Sequence, residues 1–167
     1  MVELTVQERL QPSLLDRLTD ENPATTSEAR TARVLSLQRL RQCVLRDVGW
    51  LLNTTRAEAT RDMEAYPEVQ RSVLNFGVPD FAGVPAESLN TTLLEAAIKQ
   101  AVIDFEPRIL RKTLRVTVQR PSSGEAGNSL SLRIEGQLWA QPAPLALILE
   151  SQVDLERRDI TIRDANR

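Results

Sequence analysis

The chain has 167 residues, 41% apolar and 26% charged, which suits a single domain with a proper core and an additional arm. It has no histidine and one cysteine, Cys43, which excludes the commonest general base, an internal disulfide and a Cys/His zinc site within one chain. A net charge of -2 gives no global electrostatic case for nucleic acid.

Residues 1–26 read as an arm. Residues 1–14 have neither the basic region nor the apolar stretch of a secretory leader. Pro12 can occupy a first helical turn, and Leu14, Leu15 and Leu18 form a short apolar stripe. Asp20, Asn22, Pro23 and the polar run Thr25-Thr26-Ser27 then break the pattern, so the segment reads as a small docking element on a linker. Residues 27–167 read as one domain.

The spacing predicts a long helix from about Ser27 to Asn53. Val34, Leu37, Leu40, Val44, Val48 and Leu51 fall at steps of three and four, and Asn53-Thr54-Thr55 ends the run. Residues 54–66 are polar and aperiodic, hence a loop or a loose helical turn. Beyond Tyr66-Pro67, Gly77 permits a positive backbone angle and Val78 is extended before Pro79. Phe76, Val78 and Phe81 are expected to pin this turn to the core, with Tyr66 as a loop anchor. A second helix is predicted from about Leu89 to Phe105. Thr92 and Glu95 match a capping box, although Ser88 or Asn90 serves equally as cap. Leu94, Ala97, Ile98, Ala101, Val102 and Phe105 form its buried face, and Pro107 ends it.

The remainder alternates as strand does. Leu114, Val116 and Val118 interleave with polar residues, as do Leu130, Leu132, Ile134 and Leu138 after a turn rich in glycine, serine and proline. Leu145–Leu149 is nearly all apolar, Ser151, Val153 and Leu155 resume the alternation, and Ile160 and Ile162 make a last short strand. Short connections favour an antiparallel meander. The expected fold is α+β, an N-terminal helical arm and two main helices packed on a three- to four-stranded antiparallel sheet. Trp50 and Trp139 read as core.

No apolar run approaches the ~18 residues that span a bilayer, so no direct membrane insertion is expected. The glycines form no phosphate-cradling, dinucleotide-binding or nucleophile-elbow pattern, so no cofactor is expected and only carboxylate chemistry stays open. Of 21 basic residues only Lys99 and Lys112 are lysine. Arginine suits bidentate, partly buried ion pairs at interfaces, although a GC-rich genome produces the same bias.

Glu106-Pro107-Arg108 stands where the second helix turns into the sheet. An acid there opposes the helix dipole at about 0.3–1 kcal/mol, and proline fixes the exit. Side chains two apart in extended chain project to one side, so Glu106 and Arg108 form either a polar pair that a partner reads or a plain surface salt bridge beside a helix stop.

The block Leu40–Thr54 resembles the signature helix of the TssE family, a baseplate subunit of type VI secretion systems related to a wedge protein of contractile phage tails. Pro12–Arg17, Tyr66-Pro67, Ser72–Gly83, Phe105–Leu110, Ile134–Trp139 and Val153–Leu155 fit the same pattern in the same order. The turn Glu156-Arg157-Arg158-Asp159 departs from it, since family members often carry glycine there.

The resemblance implies a non-catalytic scaffold in the cytoplasm, within a membrane-docked baseplate. Its partners would be the wedge subunits TssF, TssG and TssK and the contractile sheath TssB/TssC, with no nucleic acid. It places Glu106, Pro107 and Arg108 against a helical bundle of the wedge. It also makes the last strand, Asp159, Ile160, Thr161, Ile162 and Arg163, an edge that a sheath strand extends, an ordinary protected edge being the alternative. Because the family is sometimes labelled lysozyme-like, a peptidoglycan-cleaving glycosidase is the rival reading. It needs two carboxylates about 5–10 Å apart, one of them held protonated. Asp104, Glu106 and Glu135 are poor candidates, and aromatics for stacking sugars are scarce.

Overall fold

The computed structural model describes residues 13–19, 24, 36–57, 63, 65–81, 83–120, 128–140, 143–157 and 159–165. The order of elements is α1 (Leu14–Leu18), α2 (Leu37–Leu52), α3 (Pro67–Gln70), a 3-10 turn (Val73–Asn75), α4 (Thr91–Phe105), β1 (Arg115–Gln119), β2 (Ser129–Leu138), β3 (Leu145–Asp154) and β4 (Asp159–Asp164). The strands form one antiparallel sheet in the order β1-β2-β3-β4, so the α+β meander expected from the alternation is present with four strands.

One face of the sheet is the core. Val118, Leu130, Leu132, Ile134, Leu138, Leu147, Leu149, Val153 and Ile160 point inward, while Thr117, Ser131, Arg133, Glu150, Gln152 and Thr161 face solvent. This period of two follows from the pleat. The apolar stripes of α2 (Leu40, Val44, Val48, Leu51) and α4 (Leu94, Ile98, Ala101, Val102) close the other side. Helix α4 lies against β1 and helix α2 against β4. What reads as a nearly all-apolar run followed by an alternation is a single ten-residue strand, β3.

Helix α2 starts later than the periodicity suggests. Ser36 is extended (φ -67°, ψ 155°), and its side chain accepts a hydrogen bond from the Arg39 amide, so Ser36 is the N-cap and a helix running from Ser27 is broken there. Val34, Pro12 and most of the 121–128 turn lie outside the described residues. Helix α4 begins at Thr91 with Asn90 as its cap, not at a Thr92 capping box; Glu95 is used elsewhere. Trp50, Trp139 and Tyr66 are also not where the sequence put them, being 52%, 48% and 62% exposed. Trp50 follows Gly49 on the flank of α2, away from the Val48 stripe, and lies against the Arg46 guanidinium.

The turn after Phe76 behaves as expected. Val78 and Phe81 are buried, and Phe76 meets Phe105 edge-to-face at 5.2 Å. Val78 bridges Thr55, its amide donating to the Thr54 carbonyl (2.9 Å) while its carbonyl accepts from Arg56 (3.0 Å). Gly77 has φ 129°, and a Cβ there would lie 2.8 Å from the Arg56 nitrogen and closer still to the Thr54 oxygen. Gly77→Ala therefore combines a strained angle with a backbone clash. It should lower stability by about 2 kcal/mol or more in urea unfolding, whereas Gly83→Ala, which meets no neighbouring atom, should cost less.

Candidate docking site

Glu106 is the C-cap of α4, its amide bonded back to Val102 (2.9 Å). The chain then turns and is stitched to the end of β2. Leu110 donates to Gln137 (2.8 Å), Trp139 donates to Arg108 (2.7 Å), and Ile109 bridges Leu138. Gly136 allows this crossing, since a Cβ there would come within 3.1 Å of Ile109. The corner is thus held by backbone on both sides before any side chain acts.

Within it, Glu106 is only 2% exposed. Its Oε1 accepts from the Arg108 amide (3.1 Å) and from Nε of Arg108 (2.7 Å), and its Oε2 accepts from Nη2 of the same guanidinium. Nη2 also donates to Asp47 on α2 (2.5 Å). From there the chain of charge continues outward. Asp47 accepts from Nε of Arg46 (2.8 Å), and Arg46 donates to Asp16 of α1 (2.6 Å). Ser13, the N-cap of α1, donates its hydroxyl to the same carboxylate (2.6 Å).

Three carboxylates and two guanidiniums therefore join α1, α2 and the exit of α4. Burial opposes charging Arg108, but hydrogen bonds and attraction from Glu106, then Asp47, hold it protonated more firmly than usual. Arg46 is likewise raised, chiefly by its hydrogen bond to Asp16. Burial also works against the Asp16 carboxylate, yet Arg46 and Ser13 outweigh it and keep its carboxyl well below the usual range. The expected Glu106–Arg108 pair is present but is no surface bridge. Pro107 is exposed, Arg108 half-buried, and Glu106 faces inward.

The second candidate region, β4, lies at the sheet margin. Ile160 is buried and Ile162 half-buried against α2, while Thr161 and Arg163 face solvent; the side chain of Asp159 is outside the described residues. The turn before it, without glycine, is closed by Asp154, whose carboxylate accepts from the Glu156 and Arg157 amides (2.9 and 3.0 Å). The two candidate regions are separate, one at the α4 exit and one at the far edge of the sheet.

A model of the baseplate wedge protein gp25 family matches residues 38–143. The chain belongs to that family. No curated protein and no solved structure matches it. The gp25 family is the family of TssE, so the resemblance carried by Leu40–Thr54 and Phe105–Leu110 holds at the family level. A member of the gp25 family is a structural protein of a phage-like baseplate, and other baseplate proteins are its neighbours. The matched span takes in α2, α4, β1 and β2, hence Asp47 and the whole Glu106–Arg108 corner.

Sequence reasoning about the corner missed Asp47, Arg46 and Asp16. Asp47 is 61 positions from Arg108, and nothing in local spacing joins them. The available signal was the placing of Arg46-Asp47 beside the apolar stripe of α2, at the boundary of its buried face.

Removing Arg108 would strand the buried Glu106 carboxylate. Arg108→Ala should cost about 3 kcal/mol or more in urea unfolding, and a Glu106→Gln, Arg108→Met double variant should lose less, because no unpaired charge remains. The attachment of α1 should be insensitive to mild acid. With the folded pKa of Asp16 depressed, its contribution is complete above the unfolded value near ~4 and is lost as pH falls through the lower folded value. The Asp16 and Thr19 amides, which donate to the Ser13 hydroxyl and the Leu15 carbonyl, should therefore exchange no more freely at pH 5 than at pH 7 after correction for the intrinsic rate, and release between pH 7 and pH 5 would contradict the ion pair.

Proposed function

We propose that this chain is the TssE-like baseplate subunit of a type VI secretion machine, a non-catalytic cytoplasmic scaffold in a membrane-docked baseplate. It docks on the wedge subunits TssF, TssG and TssK through Glu106, Pro107 and Arg108. It connects the baseplate to the TssB/TssC sheath by strand addition along β4, over Asp159, Ile160, Thr161, Ile162 and Arg163. Residues 1–26 act as an arm, and 27–167 as the single wedge domain.

The observation that carries this reading is the set of contacts that holds the corner in one geometry. A surface meant for docking gains affinity when its side chains are already held in the bound geometry. Arg108 is fixed by two carboxylates from two different helices, and Pro107 stands out beside it. Glu106 then acts by positioning Arg108, while Pro107 and the Arg108 rim touch the partner.

The glycosidase alternative finds no support at this corner. A general acid must hold a proton near the operating pH, and both oxygens of Glu106 accept from Arg108. Asp104 is exposed and bound to Gln100 (2.9 Å), and Glu135 pairs with Arg133 on the solvent face of the sheet (2.7 Å).

Arg108→Lys tests the docking role. Lysine keeps the charge but cannot fork between Glu106 and Asp47. The variant should fold by circular dichroism, yet recover about tenfold less TssF, TssG and TssK on co-purification, the equivalent of roughly 1.4 kcal/mol. Unchanged recovery would remove the corner as a docking site. Muropeptide release by the purified wild type would overturn the non-catalytic reading.

A further inference from the structure

Asn53 ends α2, and its backbone amide bonds to Gly49 (3.1 Å) as a C-cap's does. Its side chain goes further. Oδ1 accepts from the Ile160 amide (3.0 Å), and Nδ2 donates to the Ile160 carbonyl (2.9 Å) as well as to Gly49 (2.9 Å). A donor and an acceptor meeting the N–H and C=O of one residue is the pattern that an antiparallel neighbour makes. The carboxamide occupies the place of a residue on a fifth strand.

The ladder shows which peptide groups of β4 point that way. Ala165 donates to Ile148 of β3 (2.9 Å), whereas Ile160 bonds away from β3, to Asn53. Hydrogen-bonded and non-bonded pairs alternate along an antiparallel ladder. With Val153 opposite Ile160 and Ser151 opposite Ile162, residues 159, 161 and 163 turn their peptide groups toward β3, and Ile160 and Ile162 turn theirs to the outer edge.

We propose that Asn53 is the register-setting residue for strand addition on β4. It seals the outward peptide group at Ile160, so a partner strand begins its pairing at Ile162. The consequence for assembly rests on the strand-addition reading above; the sealing of Ile160 does not. A slip of two residues keeps every side chain on its own face, so the side-chain pattern alone cannot forbid it. A polar plug at Ile160 forbids that slip in one direction. Of the five β4 residues tied to the sheath, only Ile160 and Ile162 have edge-facing peptide groups, and Asn53 leaves Ile162 as the first to be read.

Amide exchange on the full chain, with Asn53→Ala and Asn53→Asp, tests this. In Asn53→Ala the Ile160 amide should exchange roughly fivefold to tenfold faster, as loss of one net hydrogen bond implies. Thr161 and Arg163, bonded to β3, should keep their rates. Asn53→Asp keeps the acceptor for the Ile160 amide but sets an oxygen against the Gly49 and Ile160 carbonyls, so its Ile160 rate should fall between those of the wild type and Asn53→Ala. Equal acceleration at all three positions would make Asn53 a general brace and overturn the proposal, as would an unchanged Ile160. With TssB/TssC bound, the wild type should gain protection from Ile162 onward and none at Ile160, whereas in Asn53→Ala the gain should start at Ile160. New pairing that starts at Ile162 in both proteins overturns the register role. Failure of the wild type to bind the sheath overturns strand addition and the register role with it, and the Ile160 rate then decides the seal by itself.

Discussion

A carboxylate that is 2% exposed governs the architecture of this corner. Burying an ion without a partner is costly enough to displace any packing preference nearby. Glu106 is retained because Arg108 reaches it with two donors and the Arg108 amide supplies a third. Those contacts require the sharp exit that Pro107 fixes and the backbone bonds from 108 and 110 to the end of β2. They also bring in Asp47, so the exit of α4 and the middle of α2 are oriented by one guanidinium. The outermost link, Arg46 to Asp16, carries the same constraint to α1, whose leucines remain exposed (71% and 75% for Leu14 and Leu18) and do not hold it to the domain.

Both margins of the sheet are managed by helix-borne side chains, by unequal means. On β1, Glu95 accepts from the Val118 amide (2.7 Å). An ionised carboxylate accepts only, so it satisfies the N–H and offers nothing to a carbonyl. On β4, the Asn53 amide satisfies both groups of Ile160. An unprotected edge invites pairing with any extended chain. A plug at one end of β4 leaves pairing possible at the other, as the strand addition proposed for this edge requires.

Among the described residues, charge is spent on fixing geometry: Arg41 on the Ala146 carbonyl and Asp164 between α2 and the sheet, Arg120 on the carbonyls of Ala86 and Leu89, Arg133 across Glu135 and Glu150. The arginine bias of the composition has a structural use, since planar forks reach two acceptors where an ammonium serves as a point charge.

Alternation and helical spacing determined the α+β class, the meander, the buried faces of α2 and α4 and the turn around Gly77, because each depends on neighbours within a few residues. The pairing of Glu106 with Arg108 was legible for the same reason, being two positions apart across a proline. Tertiary structure alone decided that this pair is inside, that Asp47 completes it, and that Asn53 plugs the sheet edge 107 positions away. It also put Trp50 and Trp139 outside, since hydrophobicity sets a preference for burial but the angle of a residue around its helix, or its place past a strand end, sets whether burial is available. The start of α2 at Ser36 belongs to the same class: a periodic stripe does not say where a hydroxyl turns back to cap the helix.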